Sequence, residues 1–449
     1  MELANKRVLV AGMARSGVAA AALLDSLGAR VTIYDQKTAG VLGEALAPLQ
    51  GLPIEEALGV EPDSGKFDLV VTSPGIPLTA PVLKQAAASG VPVIGELELG
   101  AALCPCPYVA ITGTNGKSTT VTLLGEVFKN AGFLSFCVGN IGLPITQVIP
   151  ELSANDRLVV EVSSFQLETV RDFHPKVSAI LNITEDHLNR HGTMETYIDM
   201  KARIFENQGQ GDFVVLNAEE PLTAALAQRA RCRVAWFSDK HPVELGCFVE
   251  DGYVVFVNGE EKRRVVEVSQ IRLPGNHNLQ NAMAAACMAM LMEVPAPVIR
   301  HTLRSFAGIE HRIETVRTVG GVTYINDSKG TNVDASIQAV RAMDVPSVLI
   351  AGGYDKHTDF APFAREIKNS RIHTVVLIGQ TAAQIEKALR EAGFANIRHA
   401  SGFKEAVHLA GSLANRGEKV LLSPACASFD MFSDFEQRGR VFKEIVESL

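Results

Sequence analysis

Short apolar segments alternate along this chain with longer segments whose apolar residues recur at helical spacing. The first apolar segment leads through a glycine turn into the helical pattern Val18–Leu27. Strands that alternate with helices in this way form parallel sheets covered by helices, with ligands at the carboxyl ends of the strands. The strands predicted in residues 1–97 are Val8–Ala11, Val31–Tyr34, Leu69–Thr72 and Val91–Ile94.

The same alternation continues to the C-terminus. We predict strands at Val109–Ile111, Leu158–Glu161, Ser178–Ile183, Phe213–Leu216, Val234–Phe237, Thr323–Asn326, Ser347–Ala351, Thr374–Ile378 and Lys419–Leu422, helices at Thr196–Phe205 and Ala282–Met292, and a charged, hairpin-like region at Gly246–Val268. A chain of 449 residues is too long for one core. We therefore expect an α/β protein of three domains: a Rossmann-like domain at 1–97, a P-loop ATPase-like parallel sheet at 98–309 and a second Rossmann-like domain at 310–449.

One glycine-rich turn, between a predicted strand and a helical pattern, carries the clearest chemistry. In G-T-N-G-K-S-T, Gly113 and Gly116 let backbone N–H groups point inward, and Lys117 adds a positive charge. The hydroxyl of Ser118 or Thr119 can reach Mg²⁺ at the start of the helix. Ile111 stands where the usual P-loop has its first glycine, so an ordinary β–α turn stays as an alternative. The expected ATP-binding residues of this turn are Gly113, Thr114, Asn115, Gly116, Lys117, Ser118 and Thr119.

Two polar clusters follow strands of the same domain. Glu161 ends one strand, and His187 lies shortly after the next. Each alone is typical of an ordinary hydrogen-bonded loop residue, but together with the glycine-rich turn they can bind Mg²⁺ or a water molecule bound to it. Lys201 lies in a helical pattern, and its spacing alone indicates an ordinary solvated lysine.

The N-terminal turn Gly12–Gly17 is similar to a dinucleotide-binding fingerprint, and Asp35 ends the second strand. Ala14 replaces the glycine that close approach to a pyrophosphate needs, so a purely structural turn remains equally open. A nicotinamide-dependent oxidoreductase is the corresponding alternative function. The turn at 72–77 could line the same crevice.

Polar residues also crowd the start of a later helix and three loops of the last domain. Asn276, Asn278 and Asn281 open the helical pattern; capping would explain one of them, and nucleotide contacts the others. The loops 326–331, 352–356 and 423–429 carry two lysines and several hydroxyls. These loops indicate an anionic substrate, with exposed loop lysines as the alternative.

The composition of the chain disfavours several classes of function and structure. Hydrophobic residues make up 47% of the chain, and the net charge of -8 argues against a nucleic-acid partner. The seven cysteines lack a C-x-x-C pair, which disfavours a disulfide framework or zinc site and favours a reducing cytoplasm. The apolar run 282–294 is too short to cross a membrane. The basic start at Lys6 resembles a signal peptide, but the polar residues 15–17 interrupt the apolar run that follows it.

The motifs together resemble the Mur ligase family over essentially the whole chain. They are GTNGKST (113–119), EVSSFQLE (161–168), NITEDHLNRHG (182–192), PGNHNLQNA (274–282), HR (311–312), NDSKGTN (326–332) and SPACASFDMFSDFEQRG (423–439). The last two are similar to the D-glutamate-adding members. The resemblance implies ATP-dependent addition of D-glutamate to UDP-N-acetylmuramoyl-L-alanine through an acyl phosphate, in peptidoglycan precursor synthesis, by a cytoplasmic monomer.

The resemblance also implies a role for individual residues. Lys117 would hold the ATP phosphates, Ser118 and Glu161 a first Mg²⁺, and His187 and a carbamylated Lys201 a second. Further nucleotide contacts would come from Asn281, Arg312 and Asp327. The UDP-substrate residues would be Asp35, Gln36, Lys37, Ser73, Gly75 and Asn140, and the D-glutamate residues Lys329, Thr331, Lys356, Ser428, Phe429 and Phe435.

Two departures from the family pattern are visible. Asp355 directly precedes Lys356, where some relatives have the acid two residues before the lysine, and Asn189 replaces a common aspartate. Another Mur-type ligase or a folylpolyglutamate-type ligase is the nearest alternative, and a P-loop regulatory protein that binds nucleotide without ligating is a more distant one.

Overall fold

The computed structural model describes residues 1–186, 188–273, 275–355 and 358–449. These residues form two compact units, Met1–Ala307 and Gly308–Leu449. The first unit contains two β-sheets and the second contains one, and helices lie between the strands of each. The predicted α/β class with three sheets is confirmed.

The N-terminal sheet has five parallel strands in the order β3-β2-β1-β4-β5. The strands are β1 Arg7–Ala11, β2 Arg30–Asp35, β3 Glu55–Leu58, β4 Leu69–Thr72 and β5 Val93–Gly95, and the helices are α1 Arg15–Ser26, α2 Ala39–Leu42, α3 Pro81–Ala88 and α4 Glu96–Leu103. β3 was not predicted, because this edge strand has no buried residue and so lacks an apolar pattern.

The central sheet has nine strands in the order β14-β13-β12-β11-β10-β9-β6-β8-β7. Its strands are β6 Tyr108–Thr112, β7 Ser135–Gly139, β8 Arg157–Glu161, β9 Val177–Ile180, β10 Phe213–Asn217, β11 Arg233–Ser238, β12 Leu245–Glu250, β13 Tyr253–Asn258 and β14 Glu261–Glu267. Its helices are α5 Lys117–Asn130, α6 Ile145–Val148, α7 Ser164–Leu167, α8 Leu188–His191, α9 Met194–Ala202, α10 Pro221–Ala225, α11 Asn276–Leu291 and α12 Ala296–Ser305. The hairpin-like region consists of the two antiparallel pairs β12–β13 and β13–β14.

The second unit contains six strands in the order β15-β16-β20-β17-β18-β19, with β15 antiparallel to β16. The strands are β15 Glu314–Val319, β16 Val322–Asn326, β17 Ser347–Ala351, β18 Ile372–Leu377, β19 Ile397–His399 and β20 Lys419–Leu422. The helices are α13 Val333–Arg341, α14 Ala361–Lys368, α15 Ala382–Glu391, α16 Phe403–Leu413 and α17 Phe435–Glu447.

Several predicted elements, such as the helix predicted at 196–205, have other limits in the structure, and two of these differences concern the candidate site. The strand predicted to end at Ile183 ends at Ile180, and beyond it the carbonyl and the side chain of Asn182 accept the N–H groups of Thr114 and Asn115 in the glycine-rich turn. The helix predicted from Ala282 begins at Asn276, and its N-cap is Gly275 with φ +93° and no side-chain cap. The capping role expected for one of the asparagines is therefore wrong.

Both faces of the central sheet are packed. The buried alanine- and methionine-rich segment of α11 packs with α5 on one face, and β9 and β10 contribute buried residues to the core on both sides. Within the described ranges, we find no helix with the length and apolar character that a membrane crossing requires. The core thus fixes the strand ends from which the candidate site projects.

Candidate active site

The glycine-rich turn connects β6 to α5 at the carboxyl end of the central sheet. Gly113 has φ +153° and Gly116 has φ +83°, the left-handed region that side chains rarely adopt. A Cβ atom at Gly116 would lie 2.3 Å from Oδ1 of Asn281 at the start of α11. The turn therefore requires glycine both for its backbone conformation and for the close approach of Asn281. Asn281 is one of the expected nucleotide-contacting residues.

Side chains after β9 hold this turn. Asn182 accepts the N–H of Asn115 at 2.8 Å and donates to its carbonyl at 3.1 Å. The hydroxyl of Thr114 accepts the N–H of Thr184 at 3.0 Å and also lies 3.2 Å from the hydroxyl of Tyr197. Asn182 and Tyr197 had no predicted role, although Asn182 opens one of the motifs. They fix the shape of the turn.

Lys117 and Ser118 form the first turn of α5. The ammonium group of Lys117 donates to the carbonyls of Gly113 at 2.8 Å and Thr114 at 2.9 Å, so it folds over the turn. Ser118 is buried beside it. A helix N-terminus and an ammonium group at one turn favour binding of phosphate oxygens.

Glu161 ends β8, directly beside β6, and is buried. Its Oε1 atom accepts a hydrogen bond of 2.8 Å from the amide of Asn140. Its Oε2 atom is buried and has no hydrogen-bond partner among the residues that the structure describes. A buried carboxylate oxygen without a donor fits a bound cation, and Mg²⁺ prefers oxygen ligands.

Lys201 is 2% exposed, so the interpretation as a solvated lysine is wrong. Its spacing could not reveal that α9 places this side chain against the turn at Gly113. The Nζ atom donates to the Gly113 carbonyl at 3.0 Å and lies 4.6 Å from the centre of the Tyr197 ring. Burial, followed by the charge of Lys117, places the pKa of Lys201 well below its usual value, and Asp186 opposes this shift.

His187 lies outside the described residues. Among the residues that are described, no three histidine, cysteine or acidic side chains converge as a metal-binding group. The described part of the candidate metal site thus consists of Glu161 and Ser118. Lys201 contacts the glycine-rich turn at Gly113 as an unmodified lysine.

The N-terminal sheet brings Asp35 and Ser73 to the Gly12 turn. Asp35 accepts the N–H groups of Met13 at 2.8 Å and Lys37 at 2.9 Å, and buried Ser73 donates to the Gly12 carbonyl at 2.8 Å. Gln36, Lys37 and Gly75 are exposed beside them. The predicted UDP-substrate residues of this sheet therefore share one edge.

Ser73 also lines a crevice that continues onto the central sheet. The lining residues include Ser73, Glu96, Gln166 and Arg190. Glu96 is buried, accepts two hydrogen bonds from Thr146, and has its pKa raised to about 7 by burial. This carboxyl joins the two sheets of the first unit close to the crevice.

In the second unit, Asp327 follows β16 and is buried. Its Oδ2 atom accepts from the Ser423 hydroxyl at 2.6 Å, and its Oδ1 atom accepts from the N–H of Ile313 at 3.2 Å. Burial raises the pKa of Asp327 to about 7, and the Ser423 hydrogen bond and the Arg312 charge oppose the rise. The charge of Arg312 therefore acts on Asp327, and the nucleotide role of both residues stays a prediction.

Of the predicted D-glutamate residues that the structure describes, Lys329, Thr331, Ser428 and Phe429 lie on loops at one edge of the third sheet, and Phe435 begins α17. Lys329 lies 5.9 Å from the centre of the Phe435 ring, and its carbonyl accepts the N–H of Thr331 at 2.8 Å. Ser428 is buried, whereas Phe429 is 61% exposed, with its ring edge-on to Tyr354. Lys356 lies outside the described residues.

This arrangement of three α/β sheets, with a phosphate-binding turn in the middle one, defines a multidomain nucleotide-binding protein of the P-loop type. Three family models match the chain: Mur ligase MurD-like, N-terminal domain at residues 6–95, Mur ligase middle domain at 111–289, and Mur ligase, glutamate ligase domain at 311–426. The chain belongs to the Mur ligase family.

Full-length relatives agree with this assignment. A protein of Pelotomaculum thermopropionicum named UDP-N-acetylmuramoylalanine--D-glutamate ligase is 48% identical over 100% of this chain and 99% of its own. One of Thermoanaerobacter sp. with the same name is 46% identical over 100% of both chains. The crystal structure of UDP-N-acetylmuramate-alanine ligase from Thermotoga maritima has a TM-score of 0.59 at 19% identity, covering 99% of this chain and 100% of that one, which supports the fold alone.

Proposed function

We propose that this chain is the ATP-dependent ligase that joins D-glutamate to UDP-N-acetylmuramoyl-L-alanine in peptidoglycan precursor synthesis. The observation that carries the proposal is the identity of 46–48% to ligases of that name over the full chain. The phosphate-binding turn, with buried Glu161 and Lys201 beside it, supports ATP-driven chemistry. In this proposal residues 1–97 bind the UDP-substrate, 98–309 bind ATP and 310–449 bind D-glutamate.

The reaction follows from the weakness of a carboxylate as an acyl donor. The alanyl carboxylate of the UDP-substrate attacks the γ-phosphorus of ATP, giving an acyl phosphate and ADP. The D-glutamate amine then attacks the acyl carbon, inorganic phosphate leaves and the amine gives up a proton. Lys117 stabilises the negative charge of the transferred phosphoryl group, and Asn281 approaches the same turn.

Two Mg²⁺ ions fit the oxygen-rich surroundings of the turn. Ser118 and Glu161 would hold the first, which is supported by the unpaired Oε2 atom of Glu161 among the described residues. His187 and a carbamylated Lys201 would hold the second. The ions would supply positive charge against the phosphate oxygens.

Carbamylation of Lys201 is consistent with its surroundings. A neutral amine adds CO₂ to give a carbamate and releases one proton, whereas an ammonium group has no free electron pair. Burial and the charge of Lys117 favour the neutral amine. The carbamate is an anion next to Lys117. Its negative charge would attract both the Lys117 ammonium group and a bound Mg²⁺ ion.

The D-glutamate pocket would use Lys329, Thr331, Lys356, Ser428, Phe429 and Phe435. Two carboxylates of the incoming amino acid need cationic or hydroxyl partners, since burying them unpaired costs several kcal/mol. Arg312 and Asp327 would contact the nucleotide. We place the enzyme in the cytoplasm as a monomer, a location supported by the free thiols of its seven cysteines.

The test is ATP-dependent phosphate release with UDP-N-acetylmuramoyl-L-alanine and a panel of amino acids, with the product identified by mass. D-Glutamate should support turnover, and L-glutamate, L-alanine, L-lysine and meso-diaminopimelate should not. Activity with another amino acid would point to a different Mur-type ligase, and activity with a folate acceptor to the folylpolyglutamate type. Nucleotide binding without any acceptor-dependent turnover would favour a regulatory P-loop protein.

A further inference from the structure

Arg438 is a buried cation outside the set of predicted site residues. It lies in the first turn of α17 and is 0% exposed. A guanidinium group removed from water needs acceptors for its donors, because an unpaired buried charge is strongly destabilising. Burial lowers the pKa of Arg438 only to about 10, so the group stays charged at neutral pH.

The acceptors of Arg438 belong to two different loops. Nε donates to the hydroxyl of Ser328 at 2.9 Å, and Nη2 donates to the Ser328 carbonyl at 2.8 Å. Nη1 donates to the carbonyls of Cys426 at 3.2 Å and Ala427 at 3.3 Å. One side chain therefore holds the loop after β16 and the loop after β20 at a fixed separation.

We infer that Arg438 is a positioning residue for the D-glutamate pocket. The inference rests on the proposed function, because the residues next in sequence to its acceptors are Lys329 on one loop and Ser428 on the other. Its hydrogen bonds set the distance between an ammonium group and a hydroxyl that would contact the same amino acid. Arg438 itself is buried and touches the backbone, so it acts through these neighbours.

A second link between the loops limits the expected effect of Arg438 to the D-glutamate residues. The Ser423 hydroxyl donates to Asp327 at 2.6 Å, and it also contacts Ser336 at 2.8 Å. This link lies at Asp327, on the proposed nucleotide side. Arg438 makes none of its hydrogen bonds and affects Asp327 through its charge, which a lysine would keep. Loss of the guanidinium contacts should therefore displace Lys329 and Ser428 while the nucleotide side stays joined.

The geometry requires arginine specifically. The guanidinium is a planar fork whose separate nitrogens reach acceptors on two loops, whereas a lysine is a single point donor that cannot bridge them in the same way. Arg438→Lys keeps the positive charge and removes the bridge. Because a displaced ammonium group and hydroxyl would pair less well with the D-glutamate carboxylates, we expect KM for D-glutamate to rise roughly 10-fold or more, with KM for ATP changed by less than about 2-fold.

The experiment measures kcat and the three KM values of purified Arg438→Lys, with Arg300→Lys as the matched control. Arg300 also binds backbone carbonyls, those of Val265 at 2.7 Å and Arg264 at 3.0 Å, but it lies in the first unit. The control should keep its KM for D-glutamate. A purely structural role of Arg438 would reduce the amount of active enzyme, lowering kcat with all KM values unchanged, and would overturn the inference.

A second variant covers the case in which Arg438→Lys does not fold. Ser328→Ala keeps Arg438 and removes the hydroxyl that accepts from its Nε atom and donates to the Phe435 carbonyl at 2.8 Å, so it should raise KM for D-glutamate less, by about 3-fold. A folded Ser328→Ala enzyme with the wild-type KM would then overturn the inference. Failure of the proposed function would look different, since the wild-type enzyme itself would show no D-glutamate-dependent phosphate release.

Discussion

Replacement of Lys201 by methionine should change how the stability of the protein depends on pH. The folded protein holds this lysine with a pKa well below the usual value of 10.5, mainly because it is buried. The unfolded chain exposes the same lysine to water, where it is protonated. At pH values between the pKa of Lys201 in the folded protein and 10.5, unfolding therefore takes up one proton. The free energy of unfolding of the wild type thus increases as the pH rises in this range.

The size of the effect follows from the number of protons. A difference of one proton gives a slope of about 1.4 kcal/mol per pH unit, or roughly 3 kcal/mol across two units. Lys201→Met keeps most of the buried apolar stem and removes the titrating group. At the lowest pH of this range, Lys201→Met should have a larger free energy of unfolding than the wild type. Because only the wild type gains stability with pH, this difference should decrease by about 1.4 kcal/mol per pH unit as the pH rises towards 10.5.

The assay is urea unfolding at several pH values in CO₂-free buffer, followed by the fluorescence of Trp236. This single tryptophan lies in β11, in the same sheet as the site. Lys129→Met is the control, because a hydrogen bond to Glu126 raises the pKa of the half-exposed Lys129. If the stability difference between wild type and Lys201→Met stayed constant up to pH 10.5, the reasoning would be refuted.

Three further variants test the site directly. Lys117→Ala should abolish ATP-dependent phosphate release while circular dichroism stays native, because this lysine binds the loop surface and not the core; near wild-type turnover would contradict its role. Gly116→Ala should destabilise the protein by about 1–3 kcal/mol and weaken ATP binding, since its Cβ atom would meet Asn281. If calorimetric titration with a nucleotide analogue gave the same affinity for this variant as for the wild type, the expected weakening of ATP binding would be wrong. Lys356→Ala should raise KM for D-glutamate far more than KM for ATP, and the opposite split in steady-state kinetics would move Lys356 to the nucleotide site.

Much of the fold and part of the site follow from local patterns. β4, β17 and β20 have the predicted limits because each is a short apolar run bounded by polar or turn residues. The glycines of the phosphate-binding turn were predictable because the backbone needs positive φ values there. β3 was missed because an exposed edge strand carries no apolar signal.

The remaining site features depend on contacts between distant segments. Helical spacing could not show that Lys201 is buried, since this depends on how α9 packs against the turn at Gly113. Arg438 lies inside a motif that was noticed, yet its acceptors are up to 110 residues away in sequence. Periodicity reports which face of an element is apolar; it does not report which buried charge bridges two loops.

The contacts at Gly113 connect carbamylation to stability. Lys117 and Lys201 both donate to the Gly113 carbonyl, and the charge of Lys117 is a cause of the lowered pKa of Lys201. Addition of CO₂ to Lys201 would replace a neutral amine by a carbamate, which attracts the ammonium group of Lys117. Bicarbonate at constant pH and ionic strength should therefore raise the free energy of unfolding of the nucleotide-free wild type. It should leave Lys201→Met unchanged; an equal effect on both proteins in urea unfolding would show that bicarbonate acts elsewhere.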